Sequence, residues 1–340
     1  MRNGVFLGIL TFLSCLPAEI AAIEGAVRTP VLLTPHFAFY SDLATNINDA
    51  LIATGIERKF DRQEIFQTNP EALCFEKLPP SARAGWNYSV DYYQEFISPA
   101  KFNDRAQYLL RMNLAEHDEQ IRGEGSKQFI GTTRGFMDAA STAFSSCRWA
   151  TQDKVNRQWI EQAESLLVQH EERIAGQLAK LYQKSWGGLP IPADIVETVS
   201  WSGANSIAMN PDGGHLLISN SYLGNSALEI VFHEASHLLM GRNDPVWQAL
   251  EKAAAALDMQ MPDGIWHVVL FYTTGEIVRA SLEAAGEPVY TPIIYEIYTR
   301  SPWGRYQEAV ESTWPAYLNG EVTLSEATTN LITAIGNLGE

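Results

Sequence analysis

The polar and apolar positions change rhythm twice along the chain. After residues 29–34, which read as extended, Phe39, Leu43, Ile47, Leu51 and Ile52 recur at helical spacing. An amphipathic helix is therefore expected over about 41–54. The aromatic-rich stretch 85–98 follows, and then two long helices over 101–122 and 152–185, each with few breakers. Gly, Pro and Trp gather between Tyr182 and Pro192 and mark a boundary. Beyond it the period shortens, and residues 194–201 alternate like a strand. Asn210-Pro211-Asp212-Gly213-Gly214 is a turn signal between Ala204–Met209 and His215–Ser219, so a hairpin is expected there. Helical spacing returns at about 226–240, 246–257, 263–285 and through most of 303–336. Ser226 and Glu229 fit a capping box at the start of the first of these, and Gly241 fits its stop.

These elements predict an α+β protein that is predominantly helical, with a small sheet or hairpin. The expected divisions are 1–22, a helical N-terminal region over 23–190, a core over 191–290 and a helical C-terminal region over 291–340. Residues 1–22 read as a signal peptide. Arg2 supplies positive charge, Val5–Leu16 an apolar run of about a dozen residues, and Ala21 and Ala22 a cleavage site. That run is too short for a membrane helix, and no integral membrane segment is expected after its removal. The protein is therefore expected to be secreted or periplasmic, with lipid anchoring through Cys15 as a minor alternative. Of the three cysteines this leaves Cys74 and Cys147, which an oxidising compartment would pair as a disulfide. A net charge of −16 repels phosphate backbones and excludes nucleic acid as a natural partner.

The chemistry lies in His233-Glu234-Ala235-Ser236-His237. Histidines four apart on a helix leave one face and can grip one ion, and zinc accepts such nitrogen ligands. Glu234 projects beside the ion, where it can take a proton from bound water as a general base. A chance match occurs in roughly one chain in a hundred of this length and histidine content. One Zn2+ per chain is expected. The third ligand is open between Glu276 and His267, with Glu283 and Glu251 as further carboxylates. Glu276 and His267 lie nine residues apart, about 900° of helix and half a turn out of phase, so only one of them can face the ion. His36, His117 and His170 lack partners at ligand spacing and read as surface or core residues.

His233–His237 with Glu276 downstream resembles the gluzincin group of zinc metallopeptidases, over about 200–285. Met240 and Asn243 stand where the metzincin pattern needs Gly and His, which excludes that group. The resemblance implies a zincin-like core with the sheet packed on the metal-binding helix, and Glu276 as the third ligand. Arg279, one turn on, would then orient Glu276 or another carboxylate behind the ligands. It also implies that an edge strand before that helix binds the substrate backbone, so that Leu217, Ile218 and Ser219 line the cleft. An oxyanion donor from beyond the third ligand would be Tyr295, with Tyr290 and Tyr298 as alternatives, or His267. The expected function is a secreted zinc metallopeptidase acting on a peptide or protein substrate. A zinc hydrolase of a non-peptide amide or ester, and a secreted protein that retains zinc without turnover, are the alternatives.

Overall fold

The computed structural model describes residues 28–67, 70–98, 105–116, 121–188, 190–199, 203–208 and 213–337. The expected signal peptide, Cys15 and His117 lie outside these residues. Two short strands come first, β1 (Leu32–Leu33) and β2 (Phe37–Tyr40), followed by α1 (Leu43–Lys59). Asp42 caps α1 by accepting from the Thr45 amide at 2.8 Å. Next come α2 (Glu71–Lys77), α3 (Pro80–Tyr92), α4 (Arg105–Leu114), α5 (Glu124–Phe144) and the long α6 (Ala150–Tyr182). The strands β3 (Ile191–Val196), β4 (Ala204–Ala208) and β5 (Gly214–Ser219) complete the sheet. The chain ends in α7 (Asn225–Ser236), α8 (Pro245–Ala256), α9 (Ile265–Ala284), α10 (Ile293–Arg300), α11 (Gln307–Leu318) and α12 (Leu324–Asn337). None of the helices among the described residues is long and apolar enough to cross a membrane.

The five strands lie in the order β1-β2-β3-β5-β4. β2 and β3 pair in parallel, as do β3 and β5, whereas β4 and β5 form the expected antiparallel hairpin with Ala204 opposite Ile218. This order corrects the expectation for Leu217, Ile218 and Ser219. They sit on an internal strand with neighbours on both sides and are at most 3% exposed, so they line no cleft. Of the two edge strands, β1 and β4, it is β4 that pairs with β5. Its sequence Ala-Asn-Ser-Ile-Ala is more polar than the buried His-Leu-Leu-Ile run of β5, as suits an edge beside a central strand.

One apolar core spans the sheet, α6 and everything from α7 to α12, and includes Phe37, Trp159, Ile174, Leu216, Phe232, Val268, Trp314 and Leu331. A second core, with Ile47, Trp86, Tyr93, Met137 and Phe144, joins α1, α3 and α5. The core thus does not divide at residue 190: β1, β2 and α6 belong with the sheet, and the C-terminal helices pack into the same cluster. Buried charges link the two parts. Arg28 binds Asp194 on β3, and Arg111 on α4 binds the Asn205 side chain and carbonyl on β4.

Cys74 and Cys147 form a disulfide that closes a 73-residue separation and ties α2 to the turn before α6. In the chain-entropy view a loop of that length is restricted enough to contribute about 4 kcal/mol. Reduction, or replacement of both cysteines by Ser, is expected to lower the denaturation midpoint correspondingly. Chemical denaturation with and without reductant measures this.

Candidate metal centre

The local sequence sets α7 in a deep position. Gly224 enters it at φ +57°, a left-handed conformation that favours glycine. The hydroxyl of Ser226 engages the Leu223 backbone instead of an amide inside the helix. Glu229 does not reach back either, so the capping box does not form. Its carboxylate is buried and accepts from the Tyr290 hydroxyl at 2.7 Å and from the Ile293 amide at 3.1 Å. Burial pushes the Glu229 carboxyl up to about 8 against both of these bonds. The helix ends at Ser236, earlier than Gly241, through a tight turn in which the Leu238 and Leu239 amides bond to the carbonyls of Ala235 and Ser236. His237 is thus the last helical position, still one turn beyond His233.

The third member of the cluster is His267, from the first turn of α9. Donor nitrogens of His233, His237 and His267 all lie within 4.8 Å of one another. The Nε2 atoms of His233 and His267 are 3.3 Å apart. Two nitrogens bound tetrahedrally at 2.0–2.1 Å are separated by about 3.3 Å, so that pair already has the spacing of a zinc edge. Burial holds His233 and His267 well below the ordinary imidazole range and brings His237 down to about 4, with the neighbouring imidazoles adding to the effect on His233 and His267. All three are therefore neutral at pH 7, the form that binds metal. Three imidazole nitrogens make a donor set that fits a divalent metal such as Zn2+.

Aromatic packing orients the rings. Phe271 stacks on His233 with centroids 3.5 Å apart. Trp266 stacks on His267 at 4.8 Å, and Trp303 meets His267 edge-on at 4.9 Å. His233 Nδ1 is buried and bonds to no acceptor among the described residues, so stacking holds this ring where ligating histidines commonly use a hydrogen bond.

No family model matches the chain, and no curated protein or solved structure matches it. The site is therefore read from its own geometry.

Glu234 is only 5% exposed, with Oε1 4.0 Å from His233 Nε2. Burial raises its carboxyl to about 7, opposed by a hydrogen bond from Ser206 on β4 and by the Arg111 charge. This carboxyl is thus balanced between accepting and releasing a proton near neutrality. Neither Ser206 nor Arg111 carried a sequence signal, since each becomes relevant only when β4 and α4 come together.

Glu276 is not in the cluster. It projects from the other side of α9, half a turn from His267, and Arg279 binds its carboxylate through Nε at 3.0 Å and Nη2 at 2.6 Å. Arg279 bridges on to Glu283 at 2.5 Å, so it orients a carboxylate remote from the histidines. The Tyr295 hydroxyl donates to Glu276 Oε1 at 3.4 Å and Tyr290 is engaged by Glu229, so neither faces the metal centre. Tyr298 carries a buried hydroxyl with no partner. His267 joins His233 and His237 in the cluster, where its nitrogen could serve as a third ligand. Of the histidines read as surface or core residues, His36 pairs with Glu171 at 3.0 Å and His170 bonds Ser281 at 3.0 Å, while His117 lies outside the described residues.

A buried histidine outside the trio, His215, bonds Asp194 at 2.7 Å, yet burial still lowers it to about 4. His215 and His237 are therefore neutral when folded but take up protons near pH 6.5 when unfolded. Their contribution is complete above pH 6.5 and is lost as pH falls toward 4, because the unfolded chain binds more protons there. Metal-free protein is expected to lose on the order of 5 kcal/mol between pH 7 and 4.5 from these two groups. Urea denaturation across that range checks it.

Proposed function

We propose that this chain is a secreted zinc-dependent hydrolase that cleaves peptide bonds. The observation that carries the reading is the convergence of three neutral imidazoles beside a buried Glu234. Bound zinc would polarise the scissile carbonyl and lower the pKa of a water in its open position toward 7. His233, His237 and His267 would hold it. Glu234, raised toward neutrality and fixed by Ser206, takes the proton of the attacking water and then delivers it to the leaving amine.

The position of β4 at an edge of the sheet favours a peptide over a small amide or ester. Ser206, which binds Glu234, lies on that strand, so an extended chain added to its outer side would run past the general base. With histidine in place of the downstream glutamate, the site keeps the His-Glu-x-x-His helix of the gluzincins but not their third ligand. Export through a signal peptide agrees with the Cys74–Cys147 disulfide.

The test is metal dependence on a broad peptide panel. Cleavage is expected to fall to background after removal of zinc with 1,10-phenanthroline and to return when one equivalent of Zn2+ is added back. Stoichiometric zinc without cleavage of any peptide would leave a zinc-retaining protein. Far less than one zinc per chain would remove the reading altogether.

A further inference from the structure

A cavity lies away from the histidines. It measures about 770 Å3 and opens between α9, α11 and the segment leading into α10. Several of its oxygens have few hydrogen-bond partners. Tyr272 is 4% exposed, lines the cavity, and its hydroxyl makes no hydrogen bond among the described residues. Gln177 lines it from α6, and its buried Oε1 has no hydrogen-bond partner among the described residues. Glu276 also lines it, with its side chain 12% exposed. Arg279 occupies Oε2, while Oε1 receives only the long 3.4 Å bond from Tyr295. Three oxygens thus retain acceptor capacity. The rest of the wall includes Ile277, Pro292 and Leu318, which are apolar.

The local charge is negative. Arg279 is the cation in the wall, and it is bound by both Glu276 and Glu283. Glu311 adds a further carboxylate whose field reaches Tyr272 and Tyr295. A primary ammonium carries three N–H donors and no acceptor, the complement of this set. Its hydrogen bonds to a carboxylate are charge-assisted, which favours it over an alcohol of the same shape.

We propose that this cavity is a second binding site, for a primary ammonium group carried on an apolar chain. The ammonium sits among Tyr272, Gln177 and Glu276, and the chain packs on Ile277, Pro292 and Leu318. Gly275 lets Pro292 and Glu229 close on α9: a Cβ there would lie 2.6 Å from Pro292 Cβ and 3.1 Å from Glu229 Oε1, so the wall of the cavity leans on the buried Glu229 one turn before His233. This site does not depend on the proposed hydrolysis.

n-Hexylammonium is the probe, measured by isothermal titration calorimetry on the full-length protein, with hexan-1-ol as the neutral match. Saturable hexylammonium binding is expected, with hexanol at least tenfold weaker. Glu276→Gln is expected to weaken hexylammonium roughly tenfold or more, and Tyr272→Phe by a smaller factor. Glu234→Gln is expected to leave binding unchanged. A melting curve confirms that each variant is folded; if Glu276→Gln unfolds, Tyr272→Phe carries the test. No saturable binding, equal binding of hexanol, or affinity unchanged in the folded cavity variants would each overturn the proposal.

Discussion

Glu234→Gln is expected to slow hydrolysis by about 10²–10⁴-fold while the protein still holds one zinc, because general-base catalysis is removed and the ligands are not. Gln keeps the size of the side chain and still offers a carbonyl oxygen to the Ser206 hydroxyl, but it cannot accept the proton of an attacking water. The environment sharpens this expectation. A carboxyl that burial raises to about 7 is a far better proton carrier at neutral pH than an exposed one, and an amide has none of that capacity. Steady-state rates on the best substrate of the peptide panel, with zinc content measured on the same samples, distinguish the outcomes. An unchanged rate would show that Glu234 is structural, held by Ser206 merely to satisfy a buried group. A lost rate with lost zinc would mean that the substitution disturbed the centre, and the comparison would then rest on variants of Ser206.

Much of this was legible because its physics is local. The spacing of His233 and His237 places both on one helix face whatever surrounds them, and the turn at 210–214 implies the β4–β5 hairpin without knowledge of the sheet. The sheet order was not legible, because pairing between β3 and β5 joins residues more than twenty apart. The apolar run of β5 carried the available hint that it is a central strand. Phe39 satisfies both a helical and an alternating pattern, which hid β2. Helix α5, with its glycines and many small polar residues, offers too weak a propensity to be read. The half-turn offset between His267 and Glu276 was in the sequence from the start. Which of the two faces α7 depends on how α9 packs, and that is settled by contacts such as Phe271 on His233 and Pro292 against Gly275.

That offset makes the third ligand open to a sharp comparison. His267→Ala is expected to weaken zinc binding by more than the 10–100-fold typical of losing a group behind the ligands, since a directly coordinating nitrogen is removed. Glu276→Gln is expected to leave zinc affinity within about twofold, because its carboxylate pairs with Arg279 on the far side of α9 from the histidines. Competition with a chromophoric chelator at fixed pH measures both. The pH must be held because proton release accompanies zinc binding to histidines. His267→Ala also deletes a ring packed between Trp266 and Trp303, so a melting curve on the metal-free variant is needed to separate lost packing from lost coordination. His267→Gln, which retains more of the volume without the imidazole, should show the same loss of zinc with less loss of stability. The reverse pattern, with zinc lost in Glu276→Gln and retained in His267→Ala, would require α9 to turn by half a revolution in the metal-bound protein. Such a turn would carry His267 and Phe271 away from His233 and Trp303 and break the ring contacts that now fix that face of the helix.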